Sequence, residues 1–415
     1  MRSLQWVLAI ALAGFAVYRG IIPAFERIDS DFPNYYTASK LWVEGKDLSR
    51  IYDDDWFQVQ ILTNGIEQEG KFSPFPPVTV LLLAPLAEFS PLVALRIWTT
   101  LNIGFLAVSI ILLQKVIGLD VLMCACITLA SGIALANNFR LGQAYIFLHL
   151  IVTTGYFLWK SNRLVSSGAL FGVGAALKYF PLVFLPLLFR PARRAAGLSL
   201  LCMFLALSFV GMHVVGFHAS FQFLTQAVGS HAAGLIQNPY SSNFQSWNSL
   251  FRTLFVQDSQ FNPHPFFQST SAFGAALSIV LLLTGSLLVI SWQRLRSTDS
   301  RRRDELRFAL LGIWGLLVSP ATATYHALLL ILPVAFLIRE NISSWKVEQF
   351  VIALTFGMMG FIPYSFFHRF DMRGLLSVAA YPRLFLLTIL FAAAVSYTSR
   401  IGISDEGRLA PHSEH

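Results

Sequence analysis

Charge is scarce in this chain. Only 13% of its 415 residues are Asp, Glu, Lys or Arg and 55% are hydrophobic, whereas soluble domains spend about 25% of their residues on charge, so a water-soluble globular domain is excluded. Cysteine is scarcer still. Cys124, Cys126 and Cys202 all lie inside apolar runs, where neither a disulfide framework nor a zinc site finds partners. Walker A, GxGxxG, HExxH and GxSxG patterns are all missing, which leaves nucleotide chemistry and zinc hydrolysis without support. No internal repeat and no inverted pair of similarly broken segments is present, so the usual sequence sign of a two-fold transporter is lacking. Aromatics, by contrast, reach 14%, too many for a disordered tether.

What is present is a succession of long apolar runs, and the chain reads as an all-α polytopic membrane protein. Crossing a bilayer takes roughly 20 apolar residues. Candidate spans are 4–24, 91–113, 119–136, 143–159, 165–189, 195–216, 271–292, 307–338, 347–367 and 379–397. The first, preceded by Arg2, lacks a small-residue cleavage site and reads as an uncleaved helix. Segment 165–189 is interrupted at Lys178-Tyr-Phe-Pro181, and 307–338 at Ser319-Pro320. With each interruption making two short helices, about twelve crossings are expected.

The net charge of +8 reflects the cytoplasmic excess of Lys and Arg. Arg294, Arg296, Arg301, Arg302, Arg303 and Arg307, with Arg190, Arg193, Arg194, Lys160, Arg163 and Lys115, are expected on the cytoplasmic side. Segment 25–75 holds ten acids against five bases and belongs outside. The apolar stretch 76–89 then returns to the same side as a juxtamembrane or re-entrant piece. One transmembrane domain over 1–400 is expected, with an outer loop 25–90 carrying juxtamembrane helices, an outer loop 218–270 and a tail over 401–415.

Several polar residues stand out against this background. Asp29-Ser-Asp31-Phe-Pro-Asn34-Tyr35-Tyr36 follows the first helix and sets two carboxylates and two rings at the membrane surface. A partly desolvated carboxylate there suits general-base work. The plainer reading is an acidic interfacial loop, and Asp29-x-Asp31 has too few oxygens for a metal site. Lys178 sits amid an apolar run, where an ionisable group is a functional candidate or a snorkelling anchor. His326, beside Tyr325, follows the second break and can donate to a phosphate oxygen. Asn248 and Arg252 share a helical face, with Arg252 available for phosphate or as an interfacial anchor. Arg140 is a further candidate.

Asp31-Phe-Pro-Asn-Tyr-Tyr-Thr-Ala, Phe75-Pro-Pro-Val-Thr-Val-Leu-Leu-Leu-Ala-Pro85-Leu, Leu141-Gly142-Gln143, Leu177-Lys178-Tyr-Phe-Pro181-Leu and Val318-Ser319-Pro320 with His326 occur in this order. The set resembles glycosyltransferase family 87, integral-membrane GT-C enzymes typified by polyprenol-phosphate-mannose-dependent mannosyltransferases. The resemblance implies a GT-C fold and inverting transfer of one sugar, mannose favoured, from a polyprenyl-phosphate carrier to a glycan, glycolipid or lipid acceptor. It implies a multi-pass protein of the plasma (inner) membrane, working on the extracytoplasmic side and needing no cofactor or metal. Asp31 matches the family's general base. Lys178, His326 and Arg252, with Arg140, fall where the donor phosphate is held, and Asn34, Tyr35, Tyr325 and Gln143 where substrate lies. Two departures occur: Tyr145 stands where the family often has Asn, and its Asn-Gln-Ser element is here Asn243-Phe-Gln245-Ser246. Readings from other classes are a lipid-linked-sugar flippase and a non-catalytic scaffold of envelope assembly.

The topology has a direct test. In a chain freed of its native cysteines, a cysteine at position 50 is expected to react with a membrane-impermeant reagent added outside, and one at position 300 is not; the reverse pattern inverts the protein.

Overall fold

The computed structural model describes residues 2–339 and 344–409, with side chains through Gly402. Among them there is no β-strand, and the chain divides into two compact units, Met1–Gln237 and Asn238–His415. Composition carries no sign of that division.

In the first unit the principal helices are α1 (Arg2–Glu26), α2 (Phe32–Val43), α3 (Asp54–Thr63), α4 (Pro91–Ile117), α5 (Val121–Leu129), α6 (Ile133–Arg140), α7 (Tyr145–Lys160), α8 (Leu164–Leu177) and α9 (Arg194–Gln222). The acidic segment after α1 is folded rather than loose. Nine of the twelve residues of α2 are buried. They pack with Phe57 of α3 and with Phe72, Phe75, Leu95 and Trp98 in one apolar core. Rings pass the contact along: Phe57 lies 5.9 Å from Phe72, Phe72 5.8 Å from Phe75, and Phe75 4.7 Å from Tyr35. The stretch expected to be re-entrant forms two 3₁₀ turns, Pro77–Leu81 and Ala84–Leu86. At about 2 Å per residue such turns cannot cross a bilayer, and Ser39 of α2 ties them down by donating its hydroxyl to the Val80 carbonyl at 2.7 Å.

Helices α8 and α9 touch backbone to backbone. A Cβ on Gly168 would lie 2.0 Å from the Ala196 carbonyl oxygen, and one on Gly172 2.6 Å from that of Leu200. Small residues four apart allow this approach, which in lipid replaces hydrophobic driving force with close packing. Gly216, with φ +82°, kinks α9 without ending it, and helix resumes as far as Ala232. The first part of the expected outer connection 218–270 is therefore helical.

The second unit holds α10 (Trp247–Phe255), α11 (Thr270–Arg294), α12 (Ser300–Leu317), α13 (Ile331–Leu337), α14 (Val347–Phe361) and α15 (Pro382–Leu409). Asp299 caps α12 by accepting from the backbone of Arg301 and Arg302 at 3.0 and 3.3 Å. The arginines expected to mark the cytoplasmic face also have partners. Arg301, Arg302 and Arg339 surround the buried Glu305. Helix α15 continues to Leu409, into the segment expected as a tail; residues 410–415 lie outside the described residues.

Both expected interruptions occur. Lys178 leaves α8 with extended backbone ahead of a 3₁₀ turn at Phe180–Phe184. Likewise α12 stops at Leu317, before Pro320, and a 3₁₀ turn follows at Thr324–Leu330. Two further bends were not expected: 74° between α5 and α6, and 79° after α14. Five helices among the described residues are long and apolar enough to cross a membrane, or seven if each bent pair is one span. The expected twelve counts shorter pieces as well. Helix α8, for example, has 14 residues, about 21 Å against a hydrocarbon core of about 30 Å.

The glycine contacts predict that Gly172→Leu, which overpacks α8 against α9, destabilises by about 1 to 3 kcal/mol. Thermal unfolding in detergent checks this, with the open-sided Gly104→Leu as the control expected to melt like the parent.

Candidate active site

Asp31 is the N-cap residue of α2, yet its side chain makes no capping hydrogen bond. Pro33 in the first turn starts the helix by its fixed φ, so the carboxylate is left for other partners. One partner is Gln143, whose side chain hydrogen-bonds it. The Tyr35 hydroxyl donates to Gln143 Oε1 at 2.7 Å, which turns the amide NH2 toward Asp31. Tyr35 thus orients Gln143, and Gln143 orients the carboxylate.

Gln143 is itself placed by a tight turn between α6 and α7. Gly142 has φ +64°, and a Cβ there would lie 2.7 Å from that of Phe32, so only glycine fits both the conformation and the space. The Trp98 indole donates to the Gly142 carbonyl at 3.1 Å. Asn138 completes the turn by accepting the Tyr145 and Ile146 amides at 2.9 and 3.1 Å.

Lys178 faces this carboxylate from the end of α8. Its charge interacts with that of Asp31, but the two make no direct ion pair and Nζ has no hydrogen-bond acceptor among the described residues. It is held by rings instead, 4.2 Å from the centroid of Phe75 and 5.5 Å from those of Tyr35 and Tyr145. Tyr145, the departure from the family pattern, is thereby part of the site. Sequence reading missed Phe75 as well, although it opens a quoted motif and Tyr145 follows another by two residues.

Burial raises the Asp31 carboxyl above its ordinary value, against the Gln143 hydrogen bond and the Lys178 charge, which lower it; nearby Asp29 adds to the rise. Asp29 is in a different position. It pairs with Arg140 at 3.2 Å and more distantly with Arg27 at 3.8 Å, so Arg140 faces a carboxylate of its own chain. Asn34 points elsewhere, its Oδ1 accepting the Lys71 amide at 2.9 Å. It fastens the chain after α3 to α2.

Within the second unit, the residues around Ser319-Pro320 are fastened by side chains far away in sequence. Ser246 donates to the Pro320 carbonyl at 2.7 Å, and the Gln245 amide to that of Thr322 at 3.0 Å. His326 Nδ1 accepts the Ala323 amide at 3.2 Å, and its ring lies edge-on to Tyr325 at 5.1 Å. Arg252 stacks on Phe273, 4.8 Å from the ring centroid, and hydrogen-bonds Tyr240. Arg383, which sequence reading passed over, is only 3% exposed and donates to Thr322, Thr324 and Asn243. A cation at the head of the last apolar run carried the same signal as Lys178.

A model of Glycosyltransferase family 87 matches residues 74–320, more than half of the chain. The chain belongs to glycosyltransferase family 87. It is accordingly an enzyme, a membrane glycosyltransferase. No curated protein matches the chain significantly. The family 87 match encloses Arg140, Gln143, Lys178 and Arg252, while Asp31, Asn34 and Tyr35 precede it and Tyr325 and His326 follow it.

The raised Asp31 pKa has a consequence for stability. The folded chain keeps this proton to higher pH than the unfolded chain does, so Asp31 removes stability as pH rises through that window. Above it, Asp31→Asn is expected to melt no lower than the parent, whereas Asp29→Asn, which breaks the Arg140 pair, melts slightly lower. Melting curves from pH 4 to 8 decide this; a large drop for Asp31→Asn near neutrality contradicts the assignment.

Proposed function

We propose that this family 87 enzyme, a GT-C fold of about twelve membrane segments, transfers one sugar from a polyprenyl-phosphate carrier to an acceptor hydroxyl. Mannose is the favoured sugar. The acceptor is a glycan, glycolipid or lipid, and the site faces the extracytoplasmic side of the plasma (inner) membrane. The observation that carries the reading is the pairing of an uncapped carboxylate, steered by Gln143, with an ammonium that has no hydrogen-bond acceptor.

In this scheme Asp31 takes the proton of the acceptor hydroxyl as its oxygen attacks the anomeric carbon. The bond from that carbon to the carrier's phosphate oxygen breaks in the same displacement, which inverts the configuration. Negative charge builds on the departing phosphate, and the Lys178 ammonium, already in place, stabilises it. The separation of Asp31 from Lys178 matters here. A direct ion pair would hold the carboxylate in its charged form and weaken it as a base.

Transfer from a synthetic polyprenyl-phosphate sugar to membrane acceptors tests the scheme. Asp31→Asn keeps size and polarity but cannot take a proton, so turnover is expected to fall by roughly 10²- to 10⁴-fold while the carrier still binds. Asp29→Asn is expected to lose little. Lys178→Ala should lower turnover at limiting donor by about tenfold to a hundredfold, the worth of a charge-assisted hydrogen bond. Equal losses at Asp29 and Asp31 remove Asp31 from the mechanism. Carrier binding without transfer in the parent points to a flippase instead.

A further inference from the structure

Segment 36–91 of the first unit encloses a groove of about 500 Å³ that the site at Asp31 does not use. Its walls are the C-terminal half of α2, the end of α3 and residues 88–91 at the start of α4. Tyr36, Lys40 and Glu44 recur every four residues and so line it with one stripe of α2. Asp31 is the N-cap of the same helix, but Lys40 lies nine residues on, about 13 Å along the axis and half a turn round it. The groove is therefore a separate place on the helix that carries the candidate base.

The walls are tied to one another. The Tyr36 hydroxyl donates to the Phe89 carbonyl at 2.7 Å and Lys40 Nζ to the Ala87 carbonyl at 3.3 Å, which fixes the turn before α4 against α2. Asn64 Nδ2 reaches Thr37 Oγ1 of α2 at 3.5 Å and the Gln60 carbonyl at 3.0 Å, which does the same for the end of α3. A concave surface held in this way needs little ordering when a ligand arrives.

Its charges are matched. Lys40 and Lys46 line the groove together with Glu44 and Glu88. Lys40 and Glu44 pair at 2.9 Å, and the remaining ammonium and carboxylate leave no net charge, so neither an anion nor a cation is selected. The Gln60 side chain makes no hydrogen bond among the described residues, and the hydroxyl of Ser90, the N-cap of α4, makes no capping bond. Amides and hydroxyls both donate and accept. The matching ligand carries groups that also do both, side by side, and that is the pattern of a saccharide's hydroxyls. A zwitterionic headgroup such as phosphoethanolamine offers only acceptors at one end and only donors at the other. Phe89 supplies the last feature: it is 45% exposed at the groove, an apolar ring for the C–H face of a sugar to pack against.

We infer that this groove is a saccharide-binding site, remote from Asp31, that holds a length of the acceptor glycan away from its reacting end. The preference for a saccharide stands on the groove alone. Its service to the acceptor rests on the function proposed above, and narrows the acceptor there to a molecule with an extended glycan part.

Saturation-transfer NMR on the protein, in a detergent without a sugar headgroup, tests the binding, with soluble manno-, gluco- and arabino-oligosaccharides and glycerophosphoethanolamine as probes. At least one oligosaccharide is expected to receive saturation. Gln60→Ala should weaken its binding about three- to tenfold, the worth of one hydrogen bond, and Phe89→Ala should weaken it likewise while keeping the backbone carbonyl that Tyr36 holds. Asp31→Asn should leave this binding in place. Saturation of glycerophosphoethanolamine alone makes the groove a headgroup site and overturns the inference, as does saturation of no saccharide, or of saccharides equally in the parent and both groove variants. In the transfer assay, with the bound oligosaccharide as acceptor, Gln60→Ala is expected to raise the acceptor KM by about three- to tenfold, the change falling on KM rather than kcat; an unmoved KM removes the groove from acceptor binding. Should no sugar pass from a polyprenyl-phosphate carrier, the proposed function fails, and the binding measurement still decides the groove.

Discussion

The Gln143 amide lies between a hydroxyl that donates to it and a carboxylate that accepts from it, and the rest of the first unit's polar arrangement follows from that orientation. Its oxygen takes the Tyr35 proton at 2.7 Å, so its nitrogen faces Asp31. A glutamate in its place would repel the carboxylate, and a leucine would leave the Tyr35 hydroxyl buried without an acceptor. The turn that delivers Gln143 needs glycine beside it because Phe32, the residue after Asp31, fills the space where a side chain would go. Carboxylate and orienting amide are therefore brought together by one close approach of α2 to the α6–α7 turn.

The same economy recurs at several other contacts. Gly20 of α1 comes against the backbone of Ala136, Gly211 of α9 against that of Val78, and Gly168 and Gly172 against that of α9. Without a hydrophobic difference between lipid and protein interior, contact at backbone distance is what distinguishes one helix neighbour from another. The polar contacts between segments far apart in sequence, Ser39 to Val80 and Trp98 to Gly142, supply direction to packing that is otherwise non-directional.

Local chemistry made part of this readable. Lys178-Pro181 and Ser319-Pro320 interrupt helices because proline removes an amide donor and disfavours helical backbone before it, and both interruptions occur. The bend at Gly132 was not readable: an isolated glycine in an apolar run is tolerated in helices, and nothing in the sequence marks its φ of 50° with ψ of −111°. The span expected to end at residue 216 continues, because Gly216, with φ +82°, only kinks the helix. Asp29 and Arg140 lie more than a hundred residues apart, so neither residue announces the other. Arg383 was legible in kind, as a cation in an apolar run like Lys178, but its neutral partners from distant segments appear only in the assembled unit.

The ring cage around Lys178 bears on residence time as well as on recognition. An ammonium over aromatic faces is stabilised by roughly 0.5 to 2 kcal/mol, so an anion that draws it away forfeits that contact while gaining a charge-assisted hydrogen bond of about 1.5 to 3 kcal/mol. The net attraction is a difference of two similar quantities. A bare lysine in the same place would grip an anion tightly and let it go slowly; this one, resting on Phe75, Tyr35 and Tyr145, has a comfortable position to fall back to, so any anion it meets is held less tightly.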